Sequence, residues 1–245
     1  MICNLRDIGS GLVDLIFPPR CSACGKVLKE EPITPFCEAC RSDFDFCDGP
    51  LCPTCGTPFA DRMVSDHPCG PCLLSPPPFD ASRSVAAYRG VLQETIHRLK
   101  YGRDITLAES LGQTMADFSY PLFDIRNYEV IMPVPLHVRR LRERRFNQSL
   151  LMARTIAKRH RLKLDYLSLT RTRDTAPQVS FGRQQRELNV KGVFTVVDPK
   201  RVKGKRIVIV DDVLTTGSTT RECARSLKRS GAAAVAVLTL CRTLH

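Results

Sequence analysis

The 245-residue chain contains no tryptophan, and its whole aromatic share is 7%. A surface that grips single-stranded nucleic acid by stacking base after base needs a series of aromatic rings, so an extended stacking platform is excluded. Long apolar runs are missing as well. Crossing a bilayer takes about 20 consecutive apolar residues, whereas here a hydrophobic content of 43% is broken into short segments. A soluble protein without membrane insertion is expected. Near the start, Arg6, Asp7 and Asp14 interrupt the stretch that a signal peptide keeps uncharged, which predicts a cytoplasmic location. Leu5, Ile8, Leu12, Leu15 and Ile16 precede Pro18-Pro19 at helical spacing and predict an amphipathic helix within residues 1–20, packed on the body of the protein.

Acid is the other scarcity: 25 Asp and Glu stand against 37 Lys and Arg, for a net charge of +12. The imbalance is local. Up to Asp80 there are 6 basic and 11 acidic residues, a net of −5, so the remaining 165 residues carry 31 basic and 14 acidic, a net of +17. Anionic partners therefore belong with the second part of the chain.

Cysteine is abundant where basic charge is not. Of twelve cysteines, eight form four C-x2-C pairs, Cys21/Cys24, Cys37/Cys40, Cys52/Cys55 and Cys69/Cys72, separated within successive sets by 12 and 13 residues. A reducing compartment disfavours disulfides, and this spacing is that of a zinc ribbon repeated twice over residues 21–72. Gly25, Gly56 and Gly70 supply the conformations that tight metal-binding turns favour. Two Zn2+ ions with four thiolates each leave no open coordination position, so the sites are read as structural. Four such pairs in succession argue against a redox C-x2-C. Sequential pairing is the simplest assignment; crossed pairing, or Cys47 or His67 in place of a neighbour, stays open. Cys3, Cys223 and Cys241 read as ordinary thiols. Filled tetrathiolate sites add a further −4 to this module, which suits a scaffold or docking surface better than a nucleic-acid site. The segment Leu73–Asp80, LLSPPPFD, reads as a stiff Pro-rich linker.

From residue 81 the pattern is α/β. Helices are expected from Val91 to Gly102, Thr106 to Phe118 and about Asn147 to Arg159, with a strand at Glu129–Met132. Arg139 to Lys163 holds ten basic residues and one acid, Glu143; its first part, Arg139–Arg145, is expected to bind anions after the strand as a second ligand loop. Arg171–Phe194, rich in Arg, Gln and Asn, is expected to form a lid, with an ordinary β-hairpin as the competing reading. The densest signal is KRIVIVDDVLTTGSTT, Lys205–Thr220. Ile207–Val210 suit a central parallel strand buried on both faces. Asp211 and Asp212 then emerge at its carboxyl end, where open α/β sheets keep their ligands. Thr215, Thr216, Gly217, Ser218 and Thr219 let backbone N–H groups approach an anion at the start of a helix running to Arg229. Gly231 ends that helix, and Ala234–Leu240 is the next strand. Paired carboxylates beside a phosphate cradle suit a ribose 5-phosphate.

This loop resembles the phosphoribosyl pyrophosphate (PRPP) loop of type I phosphoribosyltransferases. Taken in order, LIFPPRCSAC, the paired knuckles, YRG with HRLKYGR, PVPLHVRRLRERRFNQS, RTRDTAPQ with RQQRELNVKGVF, and IVIVDDVLTTGST resemble the ComF family over nearly the whole chain. The resemblance implies a type I phosphoribosyltransferase-like parallel sheet with helices on both faces over residues 81–245, behind the double zinc ribbon. It places the ribose hydroxyls on Asp211 and Asp212, the 5-phosphate on Thr215–Thr219 and pyrophosphate near Leu136, His137 and Arg139. Arg171, Arg173, Gln178, Arg183, Arg186 and Asn189 belong to the lid, and Mg2+ accompanies PRPP. Lys100 and Tyr101 are the candidates for contacting an acceptor. The family is associated with natural transformation and use of external DNA. That implies either phosphoribosyl transfer with pyrophosphate release or a non-catalytic factor holding single-stranded DNA on the basic domain, and a competence-machinery protein docking on the zinc module. Two positions depart from the family pattern: Arg145 stands where glycine is usual, which is expected to stiffen its loop, and Phe181 replaces an aliphatic residue.

Overall fold

In the computed structural model of the chain, residues 18–28, 34–102, 104–174 and 188–244 are described. Leu5–Ile16 of the expected amphipathic helix lie outside the described residues, as do Gln178, Phe181, Arg183 and Arg186. In chain order come α1 (Glu38–Ser42), α2 (Gly70–Leu74), β1 (Ala81–Ala87), α3 (Gly90–Gly102), α4 (Thr106–Asp117), β2 (Val130–Pro133), α5 (Val138–Arg144), α6 (Gln148–His160), β3 (Lys163–Leu164), β4 (Leu169–Arg171), β5 (Phe194–Val196), β6 (Arg206–Leu214), α7 (Ser218–Arg229) and β7 (Ala234–Arg242). Five strands form a parallel sheet in the order β1-β7-β6-β2-β3. β4 and β5 pair antiparallel beside it.

The β-branched run of β6 is central because it is apolar on both faces. Val208 and Val210 pack with Leu92, Ile96 and Leu99 of α3, with α4 and with Met152 and Ile156 of α6. Ile207 and Ile209 pack on the opposite side with Cys223, Ala224 and Leu227 of α7. This alternation is the period-two geometry of a strand, and it requires helices on both faces.

Two local differences from the sequence reading bear on the site. β6 does not end at Val210 but continues through both acids to Leu214, because β7 stays paired with it to Leu214↔Arg242. On its other edge β2 leaves at Pro133↔Val210. The basic run after β2 is also not a loop: Val138–Arg144 is helical, and Arg145 ends it at φ 68°, the left-handed region where glycine is unstrained. A side chain there costs roughly 1–2 kcal/mol. Asn147 then starts α6, its Oδ1 accepting from the N–H of Ser149 and Leu150 and its Nδ2 donating to Val134 O at 3.0 Å.

The Pro-rich segment does not hold the zinc module at a distance. Asp45–Cys47 and the second ribbon lie along the free edge of β1, with Ser82 N donating to Thr54 O, Cys47 N to Val85 O and Ala87 N to Asp45 O. An exposed sheet edge invites unwanted pairing, and here it is covered. Two buried arginines seal the join. Arg83, 2% exposed, donates to Pro53 O, Ser82 O, Pro121 O and Leu122 O. Arg242 donates from Nη1 to Cys55 O at 2.9 Å and from Nη2 to Thr57 Oγ1 at 2.7 Å. The first ribbon rests on α3 and α4: Arg98 Nη1 donates to Ala23 O at 2.6 Å, and Ser22 Oγ to Ser110 Oγ at 2.8 Å.

Gly25 and Gly56 have φ of 74° and 68°, as tight metal-binding turns require, whereas Gly70 begins α2 instead. A Cβ on Gly56 would lie 2.2 Å from Ser82 O, while one on Gly25 meets nothing within 4 Å. Gly56→Ala is therefore expected to destabilise the fold by about 3 kcal/mol, combining left-handed strain with a backbone clash. Gly25→Ala should cost about 1 kcal/mol. Urea denaturation of both variants checks the order; equal costs would mean that β1 and the second ribbon separate without penalty.

Candidate functional site

The cysteine module comes first because its chemistry is complete. The Sγ atoms of Cys21, Cys24, Cys37 and Cys40 lie within 4.8 Å of one another, as do those of Cys52, Cys55, Cys69 and Cys72. Representative separations are 3.7 Å for Cys24–Cys37 and 3.6 Å for Cys55–Cys69. A tetrahedral zinc about 2.3 Å from each sulfur puts the sulfurs roughly 3.8 Å apart, so both sets fit the ion and sequential pairing is the arrangement present. Burial opposes ionisation of Cys52, but N–H groups from Cys55, Cys69 and Thr54 bring its thiol down to about 6, and Cys21 is brought to about 6 in the same way. Neither alternative ligand takes part: Cys47 is buried elsewhere, its thiol pushed up to about 11 by burial, and His67 stacks on Phe59 with ring centres 4.2 Å apart. Both sets have the donors and spacing of structural zinc sites.

At the carboxyl edge of the sheet, a cleft of about 600 Å3 opens where β2 has left β6. Its floor is the acid pair. Asp211 Oδ1 accepts from Ser149 Oγ at 2.9 Å and from Asp212 N at 3.0 Å. Asp212 Oδ1 accepts from Val213 N at 2.9 Å, and its Oδ2 lies 2.5 Å from Lys100 Nζ. Burial alone would raise the pKa of Asp212, but the Lys100 ammonium holds it below the ordinary carboxylate value. Asp211 lacks such a partner: burial, then the Asp212 charge, push it up to about 7. For Lys100, burial is outweighed by Asp212, so its pKa rises above that of a free lysine and the ammonium is kept.

Thr215, Gly217, Ser218 and Thr219 form the cleft's next wall. Gly217 is the N-cap of α7 at φ 75° and offers no side chain to close the helix start, which leaves that end suited to an anion. Thr216 faces away from the cleft: its Oγ1 bonds Ser218 Oγ at 2.8 Å, and it lines a larger hollow of about 910 Å3 between the loop and the second ribbon. Among the described residues the one carboxylate lining that hollow, Asp45, pairs with Arg89 at 2.7 Å, so the smaller cleft has the better-defined chemistry.

Facing the acids and the loop are Leu136, Arg140, Arg144 and Arg171. His137 and Arg139, expected beside them, lie outside this lining and engage Asp174 at 3.6 and 3.3 Å. Arg140 and Arg144 are one turn apart on the face of α5 that meets the cleft, while Arg139 is turned toward Asp174; Glu143 pairs with both Arg139 and Arg140, at 3.2 and 3.4 Å. Of the expected lid, β4 and β5 form an antiparallel base. Arg171 reaches the cleft, whereas Arg173 Nη2 donates to Lys191 O at 2.6 Å and half-buried Asn189 is not in the lining. Tyr88, His97, Lys100 and Tyr101 complete the mouth. Lys100, read from sequence as an acceptor contact, is the counterion of Asp212; Arg140 and Arg144 belong to the run Arg139–Arg145 expected to bind anions, whereas Ser149 and Gln148 were not singled out.

The double zinc ribbon domain family matches residues 12–73 and the phosphoribosyl transferase domain family residues 147–245. The DNA utilization protein YhgH of Escherichia coli (strain K12) is 40% identical over 200 residues, covering 80% of this chain and 86% of that protein. The chain belongs to the ComF family. Competence protein F of Haemophilus influenzae is 28% identical over 231 residues, covering 91% of this chain and 90% of that protein. Among solved structures, glutamine PRPP amidotransferase from B. subtilis matches with a TM-score of 0.37 and 22% identity over 54% of this chain and 25% of its own. By its two family matches and its sheet, this ComF-family chain has a phosphoribosyltransferase-like parallel sheet behind a double zinc ribbon. No helix among the described residues is long and apolar enough to cross a membrane.

Two measurements follow. Metal analysis should return about two zinc per chain; a value near one would mean that one tetrathiolate set does not fill. Asp211, with its folded pKa raised from 3.8 to about 7, binds its proton more tightly folded than unfolded, so its contribution to stability falls as pH rises through that window. Asp211→Asn does not suffer this loss. Its unfolding free energy should gain on the parent by about 2–3 kcal/mol between pH 5 and 8, and a difference that stays flat would show that Asp211 titrates like an exposed acid.

Proposed function

We propose that the cleft binds PRPP with Mg2+ and that the protein transfers the phosphoribosyl group to an acceptor, releasing pyrophosphate, in the handling of external DNA. The observation that carries this reading is a juxtaposition: the Asp211–Asp212 pair and the open start of α7 on one side of a single cleft, three arginines on the other. Asp211 and Asp212 receive the ribose hydroxyls. The loop from Thr215 to Thr219 takes the 5-phosphate through its backbone N–H groups. Arg140, Arg144 and Arg171 supply the positive charge that pyrophosphate needs as it leaves. Mg2+, when bound with PRPP, neutralises leaving-group charge, and the oxygens of Asp211 and Asp212 are of the hard type it prefers.

In the transfer, the bond from the anomeric carbon to a pyrophosphate oxygen breaks, an acceptor atom bonds that carbon, and the acceptor's proton is released. The ring passes through an oxocarbenium-like state, so the protein contributes by holding reactants in line, by fixed charge and by excluding water. Lys100, 2.5 Å from Asp212, serves in this reading as the counterion of that acid. A second reading is favoured by the charge distribution: the +17 excess beyond Asp80 exceeds the demand of one pyrophosphate and suits a backbone-tracking groove for single-stranded DNA. The zinc module would then dock a protein partner of the DNA-handling machinery.

Magnesium-dependent PRPP binding is expected in the parent and lost in Asp211→Asn/Asp212→Asn, as read by calorimetry; unchanged binding in the double variant rejects the ribose assignment. Affinity for single-stranded DNA should fall steeply with salt if the arginines of α5 and the residues to Lys163 carry it. A flat salt response rejects the second reading.

A further inference from the structure

We propose that the hollow between the second ribbon and the Thr215–Thr219 loop is a binding site for a small organic anion, a flat apolar body carrying a carboxylate or a phosphate. The site is separate from the acid cleft and does not rest on the PRPP reading. Asp211, Asp212, Arg140 and Arg144 are all absent from its lining.

Sites for small molecules are concave, roughly 300–1,000 Å3 in volume, mostly apolar and common where domains meet. The hollow encloses about 910 Å3 along such a join. Pro58, Phe59 and Pro71 wall it from the ribbon, and Phe79, Leu214 and Leu244 from the other side. Aromatic rings of this kind favour a planar partner.

Two arginines add charge to those walls. Arg221, in the first turn of α7, holds its guanidinium 6.0 Å from the ring centre of Phe79, and its Nε lies near the loop, 3.9 Å from where a Cβ on Gly217 would stand. Its side chain has no ion pair or hydrogen bond among the described residues. Arg242 is an independent sign. It is 7% exposed, its Nη1 and Nη2 are committed to Cys55 O and Thr57 Oγ1, and its buried Nε has no partner. An incompletely met guanidinium in the interior is costly, and an anion lodged in the hollow that it lines offsets that cost. The opposing charges are already answered: Asp45 by Arg89 at 2.7 Å, and the charge of about −2 on a filled tetrathiolate set by buried Arg83 and Arg242 against the same ribbon. Arg221 is left in surplus. Guanidinium groups take carboxylates and phosphates through short charge-assisted bonds, so the oxyanion belongs at Arg221 and the apolar body against Phe59 and Leu214.

The probe is 1-naphthyl phosphate, titrated by calorimetry into the zinc-loaded full chain without PRPP or magnesium, with 1-naphthoate, 1-naphthol and inorganic phosphate in parallel. Both naphthyl anions are expected to bind about tenfold or more tightly than 1-naphthol, and inorganic phosphate more weakly than either. Whichever naphthyl anion binds better names the oxyanion, and either order supports the site. Arg221→Gln should bring 1-naphthyl phosphate down to the affinity of 1-naphthol, with Arg221→Lys restoring part of the difference, whereas Phe59→Ala should weaken the anions and 1-naphthol alike. Equal affinity of the parent for 1-naphthol and 1-naphthyl phosphate, or no effect of Arg221→Gln, overturns the proposal. Displacement of the probe by ribose 5-phosphate also overturns it, since that would put the probe in the acid cleft. Such a result beside intact PRPP binding removes the hollow site alone.

Discussion

Unequal pairing on the two edges of β6 is the constraint from which the site follows. β2 departs after Val210, while β7 holds β6 extended as far as Leu214. Between those two points the strand is straight and rigid on one edge and open on the other, and Asp211 and Asp212 lie in that interval. A strand that ended with β2 would release the acids into a loop. One flanked on both edges would bury them against a neighbour. The same β7 continuation carries Thr243, whose N–H donates to Leu214 O at 3.0 Å, so the start of the Thr215–Thr219 loop is also held from the β7 side.

That continuation ends at Arg242, and there the zinc module enters the architecture of the site. Arg242 binds the carbonyl of Cys55 and the hydroxyl of Thr57, which itself lies 3.0 Å from Cys55 Sγ. One buried side chain therefore joins a cysteine turn of the second ribbon to the strand that braces the Thr215–Thr219 loop. Buried guanidinium groups are costly unless acceptors meet their N–H groups; the second ribbon supplies Pro53 O to Arg83 and both Cys55 O and Thr57 Oγ1 to Arg242, whose Nε has no partner. Without zinc to order that backbone, both arginines would lose partners while remaining inside. The cost of such a loss gives a physical reason for the ribbon to be built onto the sheet edge instead of hanging from the Pro-rich segment.

Much of this was legible from residues alone, for identifiable reasons. The cysteine pairs were readable because C-x2-C spacing is nearly a geometry in itself. The β6–loop–α7 unit was readable because a β-branched run, two acids and TTGST each point to one conformation, and α7 begins at Ser218 and ends at Arg229 as expected. What could not be read was which side of an element faces the ligand. Arg139 and Arg140 look alike in sequence and share Glu143, yet as neighbours on α5 only Arg140 lines the cleft while Arg139 turns to Asp174, and α5 itself was taken for a loop because its basic composition hid its helical periodicity. Arg145 shows the same limit: its identity says charge, while its left-handed backbone says turn. Lys100 was noticed as an acceptor contact but not as a counterion, since nothing in HRLKYGR announces that its ammonium reaches an acid 112 positions later.

The Lys100–Asp212 contact makes two chemically identical neighbours into different groups. Successive residues of a strand point to opposite faces. Asp212 follows Val208 and Val210 toward the face covered by α3, where Lys100 waits, while Asp211 follows Ile207 and Ile209 and meets only the neutral hydroxyl of Ser149 and a backbone N–H. One carboxylate is thus charge-compensated by the protein and the other is left with the cost of burial. Asp212 can keep its charge in the empty cleft at no further expense, whereas Asp211 near neutral pH must either hold a proton or meet a positive or hydrogen-donating ligand. Ribose hydroxyls and a divalent cation both satisfy that demand. The acid that lacks a counterion is accordingly the one whose energy changes most when the cleft fills, and the paired acid serves to keep the floor of the cleft in place while it does.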